Sequence, residues 1–419
     1  MKDSQLRILV VLPMYGGSLP IGKYCASALS DLGHLVRVFD STIFYPTFSG
    51  LNRLGLASDR LIPIENAFLQ VVGQAIWSSV QAFEPHLILA LAQAPLGKSL
   101  LQRLRNANIR TAMWFVEDYK LFGYWKLYAP LYDVFAVIQK GDFLSELSLI
   151  GQNNSLYLPL AALPSFHCKQ QLSQAEMKEY GSDISFLGAG YPNRRIAFRP
   201  LANRNFKIWG SDWDGETLLS KNLQRNGARI DEQEGIKIYS ASTINLNLHS
   251  SVKSSDFIGH GDFVNPRTFE LACMEAFQIV DKRSLLSELF NDDELATFDS
   301  IETFYSQIDY FLTHEEERNN YSKKARERVI KDHTYQIRLK YLIEYIEEKF
   351  GEFKSENEIN DIVGNNEFGN ELKSLLDSYG LGPNASLDDV ISRLREKSGQ
   401  LSELETSLLF LDEWKKQYK

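Results

Sequence analysis

Arg267 and Glu270 stand three residues apart in the segment GDFVNPRTFELACMEAF, so they share one face of any helix that forms there. A guanidinium can grip phosphate oxygens two at a time. A carboxylate one turn on can accept hydrogen bonds from the two adjacent hydroxyls of a ribose. The same spacing also suits a surface ion pair worth at most about 0.5 kcal/mol. Other segments offer related chemistry. FLGAGYPNRR sets Gly188 and Gly190 ahead of Arg194 and Arg195. There, helix-end N–H groups and two arginines would form a diphosphate receptor, or the arginines would simply be solvated. WGSDW offers Trp209 and Trp213 as stacking faces for a base or as core residues.

MYGGS places Gly16 and Gly17 where backbone can approach a ligand closely, or merely turn. The segment matches neither the G-x-G-x-x-G pattern nor a Walker lysine pattern. WFVEDYKLFGYW holds Glu117 and Asp118 among Trp114, Tyr119, Phe122 and Trp125. A carboxylate desolvated by aromatic neighbours becomes a base nearer neutral pH, whereas a polar strand end beside an aromatic core needs no such role. His249 closes INLNLHS, with a hydrogen-bonded structural role set against a minor binding one. Neither C-x-x-C nor H-E-x-x-H occurs, so no dedicated metal site is expected.

These residues need elements to hold them. Asn265 is a good N-cap and Pro266 fits the first helical position. Phe269, Ala272, Cys273, Ala276 and Phe277 recur at helical spacing as a buried stripe. Upstream, LRILVVL reads as a buried parallel strand and IGKYCASALSDLG as a helix closed by Gly33; HLVRVFD reads as a second strand. ENAFLQVVGQAIWSSVQAF, HLILALA, KSLLQRLRNAN, RTAMWFVED and YDVFAVIQ continue the alternation, which predicts a Rossmann-like domain over residues 1–160. Residues 161–181 read as a linker. A second series over residues 182–333 runs through DISFLGAG, FKIWGSDW, STINLNLHS, the helix at Asn265, FQIVDK and two further helices. Residues 334–350 form an amphipathic helix, and residues 351–419 carry three more, the second capped by Ser386. Ligands of such sheets bind beyond the carboxyl ends of the strands, where the residues above fall.

The chain has 419 residues, 44% hydrophobic and 24% charged, with a net charge of −9. That balance argues against nonspecific binding to nucleic acid or anionic membrane. Residues 351–419 hold 14 acidic and 8 basic residues, so most of the excess lies there and residues 1–350 are close to neutral. The apolar runs are too short to cross a bilayer. The N-terminal residues lack the features of a secretory signal, and three distant cysteines fit reduced thiols, so a cytoplasmic protein is expected. Asn153 and Asn384 head chance glycosylation sequons.

FLGAGYPNRR, INLNLHSS, VNPRTFELACMEAF and DHTYQIR, in that order, resemble the C-terminal half of the CgeB-like glycosyltransferases, and WFVEDY resembles part of their N-terminal half. The likeness covers roughly residues 80–345 and is most specific at N-P-R-T-F-E. It implies the GT-B class: two Rossmann-like domains facing across a cleft, here with a C-terminal helical extension. It also implies a nucleotide-sugar donor on the C-terminal domain, with no metal and no cofactor beyond that co-substrate. On this resemblance Glu270 is the ribose ligand, Arg267 and Arg195 contact the diphosphate, and Gly16 and Gly17 face the phosphates from the opposite domain. Gly190, Arg194, Trp209, His249, Asn265 and Thr268 complete the donor-binding set, with Asp118 or Glu117 as catalytic base. The family often has a glycine-containing turn after its glutamate; here Ala272-Cys273-Met274-Glu275-Ala276 has none.

Sugar transfer to a glycan, protein or small-molecule acceptor on the N-terminal domain is therefore expected. A non-catalytic two-lobed binding protein and a nucleotide-sugar epimerase are the alternatives. The helical tail reads as a solvated bundle or an oligomerisation element, with docking of a protein acceptor as a further reading.

Overall fold

The structure is a computed structural model and describes residues 5–251, 257–258, 261–353, 367–382, 385 and 387–417. Ser386 and Asn384 lie outside the described residues. Among the described residues eleven strands form two wholly parallel sheets. The first contains β1 (Arg7–Val11), β2 (Leu35–Phe39), β3 (Leu87–Leu91), β4 (Arg110–Phe115), β5 (Val134–Val137) and β6 (Ser155–Tyr157), in the order β2-β1-β3-β4-β5-β6. The second contains β7 (Ser182–Leu187), β8 (Phe206–Trp209), β9 (Ser242–Asn247), β10 (Gln278–Asp281) and β11 (Ala296–Phe298), in the order β11-β10-β9-β7-β8. Both are doubly wound, because helices covering both faces require strands apolar on both sides. β1 and β3 are buried at every position. The strand order reverses beside β1 in one sheet and beside β7 in the other, which opens a crevice at the ends of β1 and β3 and another at the ends of β7 and β9.

β6 and β11 have three residues each and lie at sheet edges, too short to carry a periodic signal. The helix expected from Glu65 spans Ser58–Phe83 and tolerates Pro63 near its start, where the proline removes only an early backbone bond. The linker is irregular to Ser173. There a capping box with Glu176 opens the helix Gln174–Tyr180.

The chain then returns to its first lobe. Helix Tyr335–Phe350 packs along helix Ser18–Asp31. Arg338 Nε donates to the Pro159 carbonyl at 2.9 Å, and Ala162 bridges to Thr334. One apolar cluster runs from Val10 and Leu29 of the first lobe through Tyr335 and Leu339 to Phe269, Ala272 and Cys273 of the second. The shared core fixes the back of helix Pro266–Cys273 and leaves its other face to the cleft.

The tail helices Glu367–Ser378, Leu387–Glu396 and Glu403–Gln417 turn Leu372, Leu376, Val390, Ile391 and Leu408 onto Val72, Ile76 and Phe83 of the first lobe. Arg7 and Asp389 form a buried ion pair at 2.7 Å. The tail's apolar stripes therefore cover the body of the same chain. Among the described residues no helix is long and apolar enough to cross a membrane.

Candidate active site

Helix Pro266–Cys273 begins as its sequence predicts. Asn265 Oδ1 accepts from the Thr268 N–H at 3.1 Å and Pro266 occupies the first turn. It ends earlier than the apolar spacing predicts, because Met274 caps it and Glu275 takes a left-handed conformation, φ 54°. A non-glycine residue thus stands where the family's glycine-containing turn would fall, at a steric penalty of about 1 kcal/mol. Ala276 and Phe277 are still buried, in the turn that leads to β10.

Arg267 and Glu270 do not pair with each other among the described contacts. Arg267 donates from Nε to the Tyr239 hydroxyl at 3.1 Å and lies over the Phe186 ring, 5.3 Å from its centroid. Its Nη2 would be 3.1 Å from a Cβ built on Gly188, so the guanidinium sits against the end of β7, at the crevice. Neither terminal nitrogen has a hydrogen-bond partner among the described residues. Glu270 turns the other way. Its side chain is 18% exposed, and Oε1 lies 3.8 Å from His167 Nε2. Its carboxylate accepts no hydrogen bond among the described residues. Burial, eased by Arg267 and reinforced by Glu232, raises its pKa to about 7. An unpartnered, largely buried carboxylate is an expense that a fold rarely carries without use.

The first lobe approaches the same place. Gly16 has φ 102°, a conformation that favours glycine, and Gly17 starts helix Ser18–Asp31 with no side-chain cap. This is the bare helix tip at the β1–β3 crevice. The tip of helix Pro266–Cys273, by contrast, is capped by Asn265, as the sequence predicts. Tyr24, in the second turn of helix Ser18–Asp31, meets the His167 ring edge-on at 4.8 Å and is influenced by the charge of Glu270.

Beyond β3, Gln93 Oε1 would be 3.8 Å from a Cβ on Gly16. Gln93 Nε2 donates to Glu117 Oε1, and the Tyr124 hydroxyl donates to Glu117 Oε2 at 2.8 Å. Burial raises the pKa of Glu117 against the effect of both bonds. Asp118 behaves differently. Its Oδ1 accepts from the Lys120 N–H at 2.8 Å, and its Oδ2 faces Gly261 of the second lobe. The aromatic residues expected around this pair are mostly core: Trp114 and Trp125 are fully buried, and Tyr119 stacks on Phe143 at 4.3 Å. Phe122 is exposed.

Several donor-site expectations are corrected by packing. Arg194 is buried and spends its guanidinium on backbone carbonyls, with Nε and Nη2 on Leu248 and Nη1 on Ala189. Arg195 clamps its own loop through the carbonyls of Gly190, Asp214 and Asp212. Gly190 is required by that loop, since a Cβ would meet the Asp212 carbonyl oxygen at 2.3 Å. Trp209 is 1% exposed and packs against Tyr180, so it offers no face to a base. Trp213 is core as well, with Nε1 bonded to the Gly188 carbonyl.

His249 is structural. Its Nε2 accepts from the Asn265 N–H at 2.9 Å, and Nδ1 therefore holds the proton shared with Asp281 Oδ1 at 2.6 Å. Asn265 donates to Asn247 Oδ1, and the Thr268 hydroxyl is enclosed between Asn265 and Asn247. Both hold the helix start in place and leave nothing for a ligand. The residues missed in the sequence are His167, Tyr24, Tyr239, Gln93 and Tyr124. His167 lies in the linker, where no periodicity marks it.

The model of the Glycosyl transferase-like family matches residues 194–344. Over 250 residues the chain is 21% identical to the spore protein CgeB of Bacillus subtilis strain 168, covering 57% of this chain and 76% of that one. Among solved structures, sucrose-phosphate synthase from Thermosynechococcus elongatus superposes with a TM-score of 0.56 at 11% identity, over 83% of this chain and 100% of that one. Anabaena HepE in complex with UDP-glucose gives 0.54 at 9% identity, over 82% and 100%. At such identities the structural likeness speaks for the fold; the sequence matches carry the chemistry. The chain is a glycosyltransferase with the two-domain GT-B fold, similar in sequence to the CgeB-like proteins.

Proposed function

We propose that the protein transfers a sugar from a nucleoside-diphosphate donor, using neither a metal ion nor a further cofactor. The observation that carries this reading is the Glu270 carboxylate, mostly buried and without a hydrogen-bond partner among the described residues, one turn from an arginine with both terminal nitrogens unused. A ribose diol is the ligand that fits such a carboxylate, and the adjoining diphosphate fits Arg267. Gly16, Gly17 and the uncapped start of helix Ser18–Asp31 meet the phosphates from the first lobe. The UDP-glucose carried by the Anabaena protein of the same fold is a ligand of this class.

In the transfer step an acceptor hydroxyl oxygen bonds to the anomeric carbon while the bond from that carbon to the diphosphate oxygen breaks. The electron pair leaves on the diphosphate, where Arg267 stabilises it. In an inverting reaction the hydroxyl proton passes to Glu117. Its two hydrogen bonds orient it beside the glycine loop, and burial raises its basicity. Asp118, turned toward Gly261, is better placed to hold the lobes in register. In a retaining reaction the departing phosphate takes the proton, and Glu117 is dispensable.

Calorimetry on Glu270→Ala tests the donor site. Loss of the charged acceptor should raise the dissociation constant of the bound nucleoside diphosphate roughly 10- to 100-fold; unchanged affinity would remove the ribose assignment. Incubation with a nucleotide-sugar panel should release nucleoside diphosphate in the presence of EDTA. An isomerised donor without release would mark an epimerase, and no conversion would mark a binding protein.

A further inference from the structure

His167 lies in the linker between the lobes, and its side chain is 3% exposed. The Leu163 N–H donates to its Nδ1 at 2.9 Å, so Nδ1 presents a lone pair and the ring proton is on Nε2. Burial lowers its pKa to about 3, which keeps that tautomer neutral throughout the working range. Nε2–H has no hydrogen-bond partner among the described residues and faces Glu270 Oε1 at 3.8 Å. That separation is too long for a direct hydrogen bond. It does suit one oxygen lying off the line between the two atoms, within normal hydrogen-bond length of both. Such an oxygen must accept from Nε2 and donate to Oε1. A hydroxyl does both, whereas an ether oxygen or a methylene cannot.

The ring has little freedom to turn away. Tyr24 and Phe166 pack edge-on against it at 4.8 and 5.2 Å, and the Leu163 bond fixes its rotation. Tyr24 belongs to the first lobe, His167 to the linker and Glu270 to the second lobe, so the pair forms where three parts of the chain meet.

We propose that His167 and Glu270 together grip a single sugar hydroxyl of the nucleotide, which makes His167 a specificity residue that selects ribonucleotide over deoxyribonucleotide donors. The proposal rests on the donor-site reading above and adds the substrate class: donors built on a ribonucleoside diphosphate, with thymidine-type (2′-deoxy) donors excluded. A site committed to one hydroxyl rejects the analogue lacking it, because the buried donor and acceptor are then left unpaired.

The test uses the full chain and whichever of UDP, GDP and CDP binds it, together with the 2′-deoxy and 3′-deoxy analogues of that nucleotide, by calorimetry. The wild type should bind the ribonucleotide roughly 10- to 100-fold more tightly than its 2′-deoxy form, and a loss confined to the 3′-deoxy form would overturn the exclusion of 2′-deoxy donors. In His167→Phe this ratio should fall by about 3- to 10-fold while the deoxy form keeps its wild-type affinity. His167→Gln, which retains an N–H donor, should keep most of the discrimination and guards against a folding defect in the phenylalanine variant. A ratio unchanged in both variants would overturn the role of His167 and leave the donor site standing. A wild type that binds ribo and deoxy forms equally would overturn the hydroxyl grip. Absence of binding by any of the three nucleotides would take down the donor-site reading along with it.

Discussion

Two histidines near helix Pro266–Cys273 are equally buried, at 2% exposure each, and differ in how their nitrogens are used. His249 has both occupied, one by the Asn265 N–H and one by Asp281. His167 has one occupied, and the other is aimed at a carboxylate with no hydrogen-bond partner among the described residues. The arginines divide the same way. Arg194 spends its guanidinium on carbonyls, whereas Arg267 keeps its terminal nitrogens, beside Gly188, without a hydrogen-bond partner among the described residues. One set holds the scaffold and the other is kept for a ligand. Residue type does not separate them; the hydrogen-bond accounting does.

The largest effect that would break this division comes from the two arginines. Arg194→Met should strip the Leu248 and Ala189 carbonyls of buried donors and lower unfolding free energy by about 3–5 kcal/mol. Arg267→Met loses the bond to Tyr239, the cation–π contact with Phe186 and the charge that eases Glu270, but strips no buried carbonyl of its donor. Its stability in denaturant should therefore fall by about 1–2 kcal/mol, less than that of Arg194→Met. Its affinity for nucleoside diphosphate should fall at least tenfold. Denaturant melts of both variants decide the matter, and equal destabilisation would erase the distinction.

Glu270 sharpens it, because a residue held in reserve for a ligand should weaken the empty fold. Its pKa rises from the ordinary 4.5 to about 7 on folding, so the native state favours the protonated form. Stability contributed by this group is intact below pH 4.5, declines as pH rises to 7, and is level above that. By linkage the loss amounts to about 3 kcal/mol. Glu270→Gln removes the titration. It should be more stable than wild type by up to that amount at pH 8, about equal to it at pH 4.5, and unable to hold the donor tightly. A variant no more stable than wild type at pH 8 would mean that the carboxylate is better solvated than its surroundings indicate.

The same accounting explains what could be read from the sequence. The two strand series and the start of helix Pro266–Cys273 were legible, because apolar periodicity and the Asn265–Pro266 cap are local signals. Arg267 and Glu270 were legible as neighbours early in one helix, though their turning to different sides of it was not. Arg194, Arg195, Trp209, His249 and Thr268 carried the same chemistry at the same ends of strands, and only their tertiary partners reveal that they are spent. His167 was invisible for the opposite reason. Its neighbours Tyr24 and Glu270 are 143 and 103 residues away in the sequence, and the Leu163 N–H that fixes its tautomer becomes meaningful only once the linker is folded. The tail shows the same limit: its stripes were plain, and the surface they cover was not.

Gly17 provides the smallest test and the one that separates fold from function most cleanly. Its backbone has φ −73° and ψ −20°, ordinary helical values, and a Cβ there would meet no heavy atom within 4 Å. The fold therefore has no use for a glycine at this position. Gly17→Ala should stabilise the empty protein by about 0.4–1 kcal/mol, because it reduces the freedom of the unfolded chain without straining the folded one. Gly16, at φ 102°, should show the opposite sign under the same substitution. If phosphates approach the backbone at the start of helix Ser18–Asp31, the methyl group that helps the empty protein stands in their way, and nucleoside diphosphate affinity should fall as thermal stability rises. A Gly17→Ala variant that gains stability and keeps full affinity would move the phosphates off this turn and leave Arg267 to hold them from the second lobe.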